Sequence, residues 1–131
     1  MEQKFILDLA SAKRVAAAAG LEATKNNWEV AIAIVDDSGY LMYLQRDKVQ
    51  LGSIDVAIEK AKAALMYRRP TKYWEDVIAN GRQGYLTMPG LFAVEGGIPL
   101  IYQDVTVGAI GVSGVKSTDD GIIAQAGASV L

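Results

Sequence analysis

Neither histidine nor cysteine occurs in this sequence, so any proton transfer or charge stabilisation falls to Lys, Arg, Asp, Glu, Tyr and backbone amides. That excludes Ser-His-Asp and Cys-His machinery, disulfides and Cys- or His-ligated metals. Two cations stand out among what remains. Lys60 sits with Val56, Ala63 and Tyr67 on one direction of a helical stretch, a lone cation among small apolar neighbours, where burial disfavours the charge. Arg46 ends an apolar run just before a loop, a position suited to clamping a carboxylate. Gly96-Gly97 and Ser113-Gly114 are small-residue pairs whose backbone N–H groups could cradle an oxyanion. Together these would form a site for a small carboxylate, with Lys60 as base or electrostatic stabiliser and Arg46 as clamp. Glu95, which precedes the glycine pair, and Tyr67 complete the candidate ligand-binding residues.

The elements that must position them follow from periodicity. Asp8 to about Lys25 reads as a helix capped by Asp8 and ended by Asn26-Asn27, with Ala12, Val15, Ala16, Ala19 and Ala23 as its inner stripe. Val30–Val35 is nearly unbroken apolar sequence, hence a central strand buried on both faces. Asp36-Asp37-Ser38-Gly39 then turns the chain into a partner strand, Tyr40–Arg46. Turn chemistry accounts for both of these acids, and no metal site is expected. A second helix runs from Ser53, a good N-cap, to Arg69 before Pro70, with Ile54, Ala57, Ile58, Ala61, Ala64 and Leu65 as its main apolar face. A short helix from Thr71, its cap, to Ala79 would dock through Trp74. The segment 82–95 is irregular yet apolar, as functional loops and interfaces often are.

Two further strands, Ile98–Tyr102 and Val105–Val112, meet at Gln103-Asp104, and a last helix covers Thr118 to Ser129, with Asp119 and Asp120 suiting its dipole. Gly108, Gly111 and Gly114 recur every three residues, which does not match a strand's period of two. They mark a bulge, or a place where a ligand, the alanine-lined first helix or a neighbouring subunit comes close. Hairpins with helices clustered between them make an α+β domain with a mainly antiparallel sheet, one domain over residues 1–131.

Composition bounds the partners. The net charge of −2 gives no reason to expect nucleic acid or an anionic membrane. No apolar run is long enough to span a bilayer, and MEQKFILDLASAKR lacks the form of a secretory leader, so a cytoplasmic protein is expected. The second helix, apolar in two directions, and the apolar 82–95 segment both call for cover, which predicts a homo-oligomer.

The stretches VAIAIVDDSGYLMYLQR, SIDVAIEKAKAALMYRRPTKYWE and MPGLFAVEGGIPLIYQDVTVGAIGVSGVKSTDDGIIAQAGASVL, with LDLASAKRVAAAAGLEA before them, resemble the GlcG/HbpS family of haem-binding-type proteins, related to the C-terminal domain of PduO. The likeness covers nearly the whole chain. It implies a profilin-like fold, with an antiparallel sheet of about five strands flanked by helices, and a small homo-oligomeric protein binding haem, another tetrapyrrole or a small organic anion. Haem binding in some relatives uses a histidine, which this chain lacks, so an iron ligand would have to come from Met66, Tyr67, Tyr85, Thr87 or Met88. Two other functions fit the same resemblance: a lyase, isomerase or hydrolase acting on a small carboxylate through Lys60 and Arg46, and an accessory subunit of a partner enzyme.

Overall fold

The computed structural model describes residues 1–131. In chain order it contains α1 (Leu9–Lys25), β1 (Ala31–Asp36), β2 (Leu41–Arg46), α2 (Gly52–Tyr67), α3 (Thr71–Ala79), β3 (Gly97–Tyr102), β4 (Val105–Ser113) and α4 (Ser117–Ala128). The strands form one antiparallel sheet in the order β2-β1-β4-β3. It has four strands, the four read from the sequence, rather than the five or so that the resemblance implies, and the irregular 82–95 segment holds a short 3-10 turn, Gln83–Thr87.

The two faces of β1 explain the layers. Ile32 and Ile34 point into the larger core with the alanine stripe of α1, with Ile110 and Val112 of β4, and with Ile123 and Ala124 of α4. Ala31, Ala33 and Val35 face the other way, toward Ala57, Ala61 and Ala64 of α2. Small side chains on that second face bring α2 close. Ala33, Gly111 and Gly97 stand in one row across β1, β4 and β3. A side chain at Gly111 would strike the Ala57 carbonyl, and one at Gly97 would strike the Lys60 carbonyl. Gly111 and Gly97 therefore seat the second helix, not the first, directly on the sheet, whereas Gly108 lies against the Val35 carbonyl and Gly114 against the Glu29 carbonyl.

Local chemistry sets the turns. Asp8 Oδ1 accepts the Ser11 N–H at 2.8 Å, capping α1. Asp36 Oδ1 accepts from the backbone N–H groups of Ser38 and Tyr40, bracing the first hairpin. Gln103 and Asp104 both take positive φ, 48° and 66°, as a two-residue hairpin of the primed type requires. Two expected caps are corrected. Ser53 lies inside α2, whose first residue is Gly52, and its hydroxyl caps nothing; Thr71 is the first residue of α3, and its hydroxyl bonds Gly97 instead. No helix is long and apolar enough to cross a membrane.

Candidate functional site

Lys60 is the largest side chain in the fully buried set, with 2% of its surface exposed. Its ammonium donates to the Val112 carbonyl at 3.0 Å and to Asp120 Oδ2 at 3.1 Å. Asp120 is equally buried, and its other oxygen accepts the Val115 N–H at 3.2 Å. Burial pushes the Asp120 carboxyl above the usual carboxylate range, and the Lys60 charge partly offsets that. An ammonium has three donors, and only two of Lys60's are met by protein acceptors. Gly96, at φ 133°, makes room for it: a Cβ there would come within 2.8 Å of Lys60 Nζ.

This pair lies in the wall of a cavity of about 430 Å³ between the starts of α2 and α4. Ser53, Val56 and Lys60 line it from one stripe of α2, at helical spacings of three and four. Phe92 and Val94 close it from the 82–95 segment, and Ser113 closes it from the end of β4. Neither α2 nor α4 has a side-chain cap; the Ser53 and Ile54 N–H groups donate to the Gln50 and Leu51 carbonyls, and those of Asp119 and Asp120 donate to the Lys116 carbonyl. The result is one polar end built around a cation, with apolar walls beside it, a form common to small-molecule sites.

The other predicted residues are placed around it. Ser113 lines the cavity beside Lys60, and Gly114 lies just beyond, against the Glu29 carbonyl. Glu95, Gly96 and Gly97 line an adjoining groove of about 310 Å³ with Lys72. The Gly97 N–H already donates to Thr71 Oγ1 at 2.9 Å, so it is not free to cradle an oxyanion. Glu95 lies over Gly121, and burial raises its carboxyl above the usual range. Arg46 does not line the Lys60 cavity. Its register places it opposite Ala31, which is opposite Ser113, so two strand spacings, about 10 Å, separate it from that end of β4. Its guanidinium is exposed and donates to the Asp47 carbonyl, at the edge of a separate cleft between α1 and the sheet. Tyr67 points the other way, its hydroxyl donating to the Pro89 carbonyl and its ring meeting Trp74 edge-on.

Asp120 and Ser53 are the site residues that sequence reasoning missed. Each had a sufficient local role, as a helix-dipole acid and as a cap. The signal for Asp120 was Lys60 itself, since a buried cation needs a buried acceptor.

The family model described as "Haem degrading protein HbpS-like" matches residues 7–129. The chain belongs to the HbpS-like family. Among HbpS-like relatives, "Protein GlcG" of Escherichia coli K12 is 41% identical over 114 residues, 86% of this chain and 85% of its own. The crystal structure of HbpS superposes with a TM-score of 0.89 at 31% identity, over 100% of this chain and 94% of that one, and a Streptomyces reticuli double mutant of it matches at 0.88. The crystal structure of Klebsiella pneumoniae protein ORFY gives 0.87 at 29% identity, over 98% and 92%. These likenesses carry the profilin-like α+β reading.

The donors available for haem iron in this HbpS-like chain, Met66, Tyr67, Tyr85, Thr87 and Met88, gather where the end of α2 meets the 82–90 segment: Met66 lies against Gly90, and Tyr67 and Tyr85 pack on the same Trp74 ring. Met66 borders the cleft at the β1–β2 hairpin, the Tyr67 and Thr87 hydroxyls donate to the Pro89 and Gly84 carbonyls, and Tyr85 is held between Trp74 and Arg82. None of them lines the Lys60 cavity. The Tyr67 and Thr87 hydroxyls are spent on backbone carbonyls, which leaves Met66, Met88 and Tyr85 as the donors that could hold haem iron.

Proposed function

We propose that this chain is a ligand-binding protein whose cavity between α2 and α4 takes a small organic carboxylate. The observation that carries the reading is the Lys60 ammonium, buried in the cavity wall with one donor unmet. The carboxylate would accept that donor, while Val56, Phe92 and Val94 cover the ligand's carbon atoms. Asp120 opposes an added negative charge, so its readiness to take a proton matters: binding draws a proton onto Asp120 and strengthens as pH falls through its raised titration. The proposal includes one domain over the chain and self-assembly. Large apolar side chains left in water near the cavity mouth, Leu51 and Val94, and Leu86 in the same loop, support assembly, to be checked by sedimentation equilibrium. The proposal also includes a cytoplasmic setting, which a chain without cysteine permits, to be checked by cell fractionation.

Calorimetric titration with small monocarboxylates tests the reading. Binding is expected to the parent chain and to be lost in the Lys60→Met/Asp120→Asn double variant, which keeps the fold without the ammonium. Equal binding by both proteins would sink it. Haem is the second reading, favoured by the family's description. Its mark is a Soret band with haemin that survives gel filtration, unaffected by the same double substitution.

A further inference from the structure

Ser53 is 2% exposed, lines the Lys60 cavity, and its hydroxyl is one of two buried side-chain polar atoms without a hydrogen-bond partner; the other is Trp74 Nε1. Buried hydroxyls are nearly always paired, because leaving one unmade forfeits its hydration. Its position looks like that of a helix cap, but the residue lies one place inside α2 and does not cap it. Ser53 and Lys60 are seven residues apart, so they share one face, two turns or about 10 Å apart along the axis. Side chains on a helix lean toward its N-terminus, which brings the Lys60 ammonium back toward Ser53. Ser113 of β4 stands in the same cavity, itself 7% exposed.

We propose that Ser53 recognises a second polar oxygen on the ligand, and that the cavity selects hydroxycarboxylates over their deoxy counterparts. This rests on the carboxylate reading above and adds a selectivity to it. The ammonium holds the carboxylate, which any small organic acid offers. The Ser53 hydroxyl, which both donates and accepts, pairs with the ligand's hydroxyl beside Lys60. A deoxy ligand leaves it unpaired, so the difference appears in affinity.

The experiment is titration of the full-length chain with lactate and with propionate at one fixed pH, repeated on Ser53→Ala. The parent is expected to bind lactate about tenfold or more tightly. In Ser53→Ala that preference collapses, since the hydroxyl that pairs with the ligand's own has gone. If both acids bind the parent alike, or if Ser53→Ala retains the full preference, the assignment of Ser53 is wrong while the carboxylate reading stands. If neither acid binds, both fall together.

Discussion

Replacing Lys60 by methionine removes the ammonium and keeps most of the side chain's volume. It leaves the Asp120 carboxylate buried with only the Val115 N–H, and the Val112 carbonyl without its side-chain donor. Both side chains are nearly inaccessible, 2% and 3% exposed, so solvent screens little of the pair. Breaking one side of such a pair destabilises by about 3–5 kcal/mol, whereas removing both charges is often close to neutral. Lys60→Met is therefore expected to lose about that much at neutral pH, and Lys60→Met/Asp120→Asn to recover more than half of it. The pH dependence has a definite sign. The folded-state pKa of Asp120 is raised by burial, so the folded protein takes up this proton at higher pH than the unfolded chain does. Without Lys60 the rise is greater. The deficit of Lys60→Met is thus full above the Asp120 titration and shrinks as pH falls through it. Urea unfolding followed by tryptophan fluorescence at about pH 7 and pH 5 reads both effects. That range stays above the one where Asp8 and Asp37, held low by hydrogen bonds from Ser11 and Lys4, lose their own contributions. A deficit under about 1 kcal/mol, a deficit independent of pH, or strict additivity in the double variant would refute the reasoning.

Two substitutions test how the site is held. Thr71→Val keeps the shape but leaves the buried Gly97 N–H without its acceptor, so a loss of about 1–3 kcal/mol is expected in denaturant melts, with Thr71→Ser near the parent. Gly111→Ala drives a methyl into the Ala57 carbonyl, where no flexible side chain can yield, so the loss should reach or exceed about 3 kcal/mol. An alanine variant as stable as the parent would mean that α2 does not lie on Gly111.

Much of the fold was legible because its causes are local. The apolar run at Ala31–Val35, the Asp36–Gly39 turn and the alanine stripe of α1 each identify their element from neighbouring residues alone. The strand order was not legible, since nothing near Val105–Ser113 says that β4 pairs with β1 as well as with β3. That one long-range pairing decides the site. It carries Ser113 to Lys60 and leaves Arg46 two strands away, although both Ser113 and Arg46 are polar residues at strand ends. The stripe of Val56, Lys60, Ala63 and Tyr67 was readable as a subunit contact or a pocket wall, and only Val56 and Lys60 of it line the cavity. Asp120 was hidden because its partner lies sixty residues earlier and its position in the first turn of α4 already explained an acid. Ser53 and Thr71 misled for a related reason: each sits where a cap belongs, and a tertiary demand overrode the local preference.

The most direct test of the central claim is a crystal structure with lactate bound. The account predicts a lactate carboxylate oxygen about 2.7–3.2 Å from Lys60 Nζ, inside the cavity closed by Phe92 and Val94. Lactate seated instead in the cleft beside Arg46, with Lys60 still bonded only to Asp120 and Val112, would contradict it.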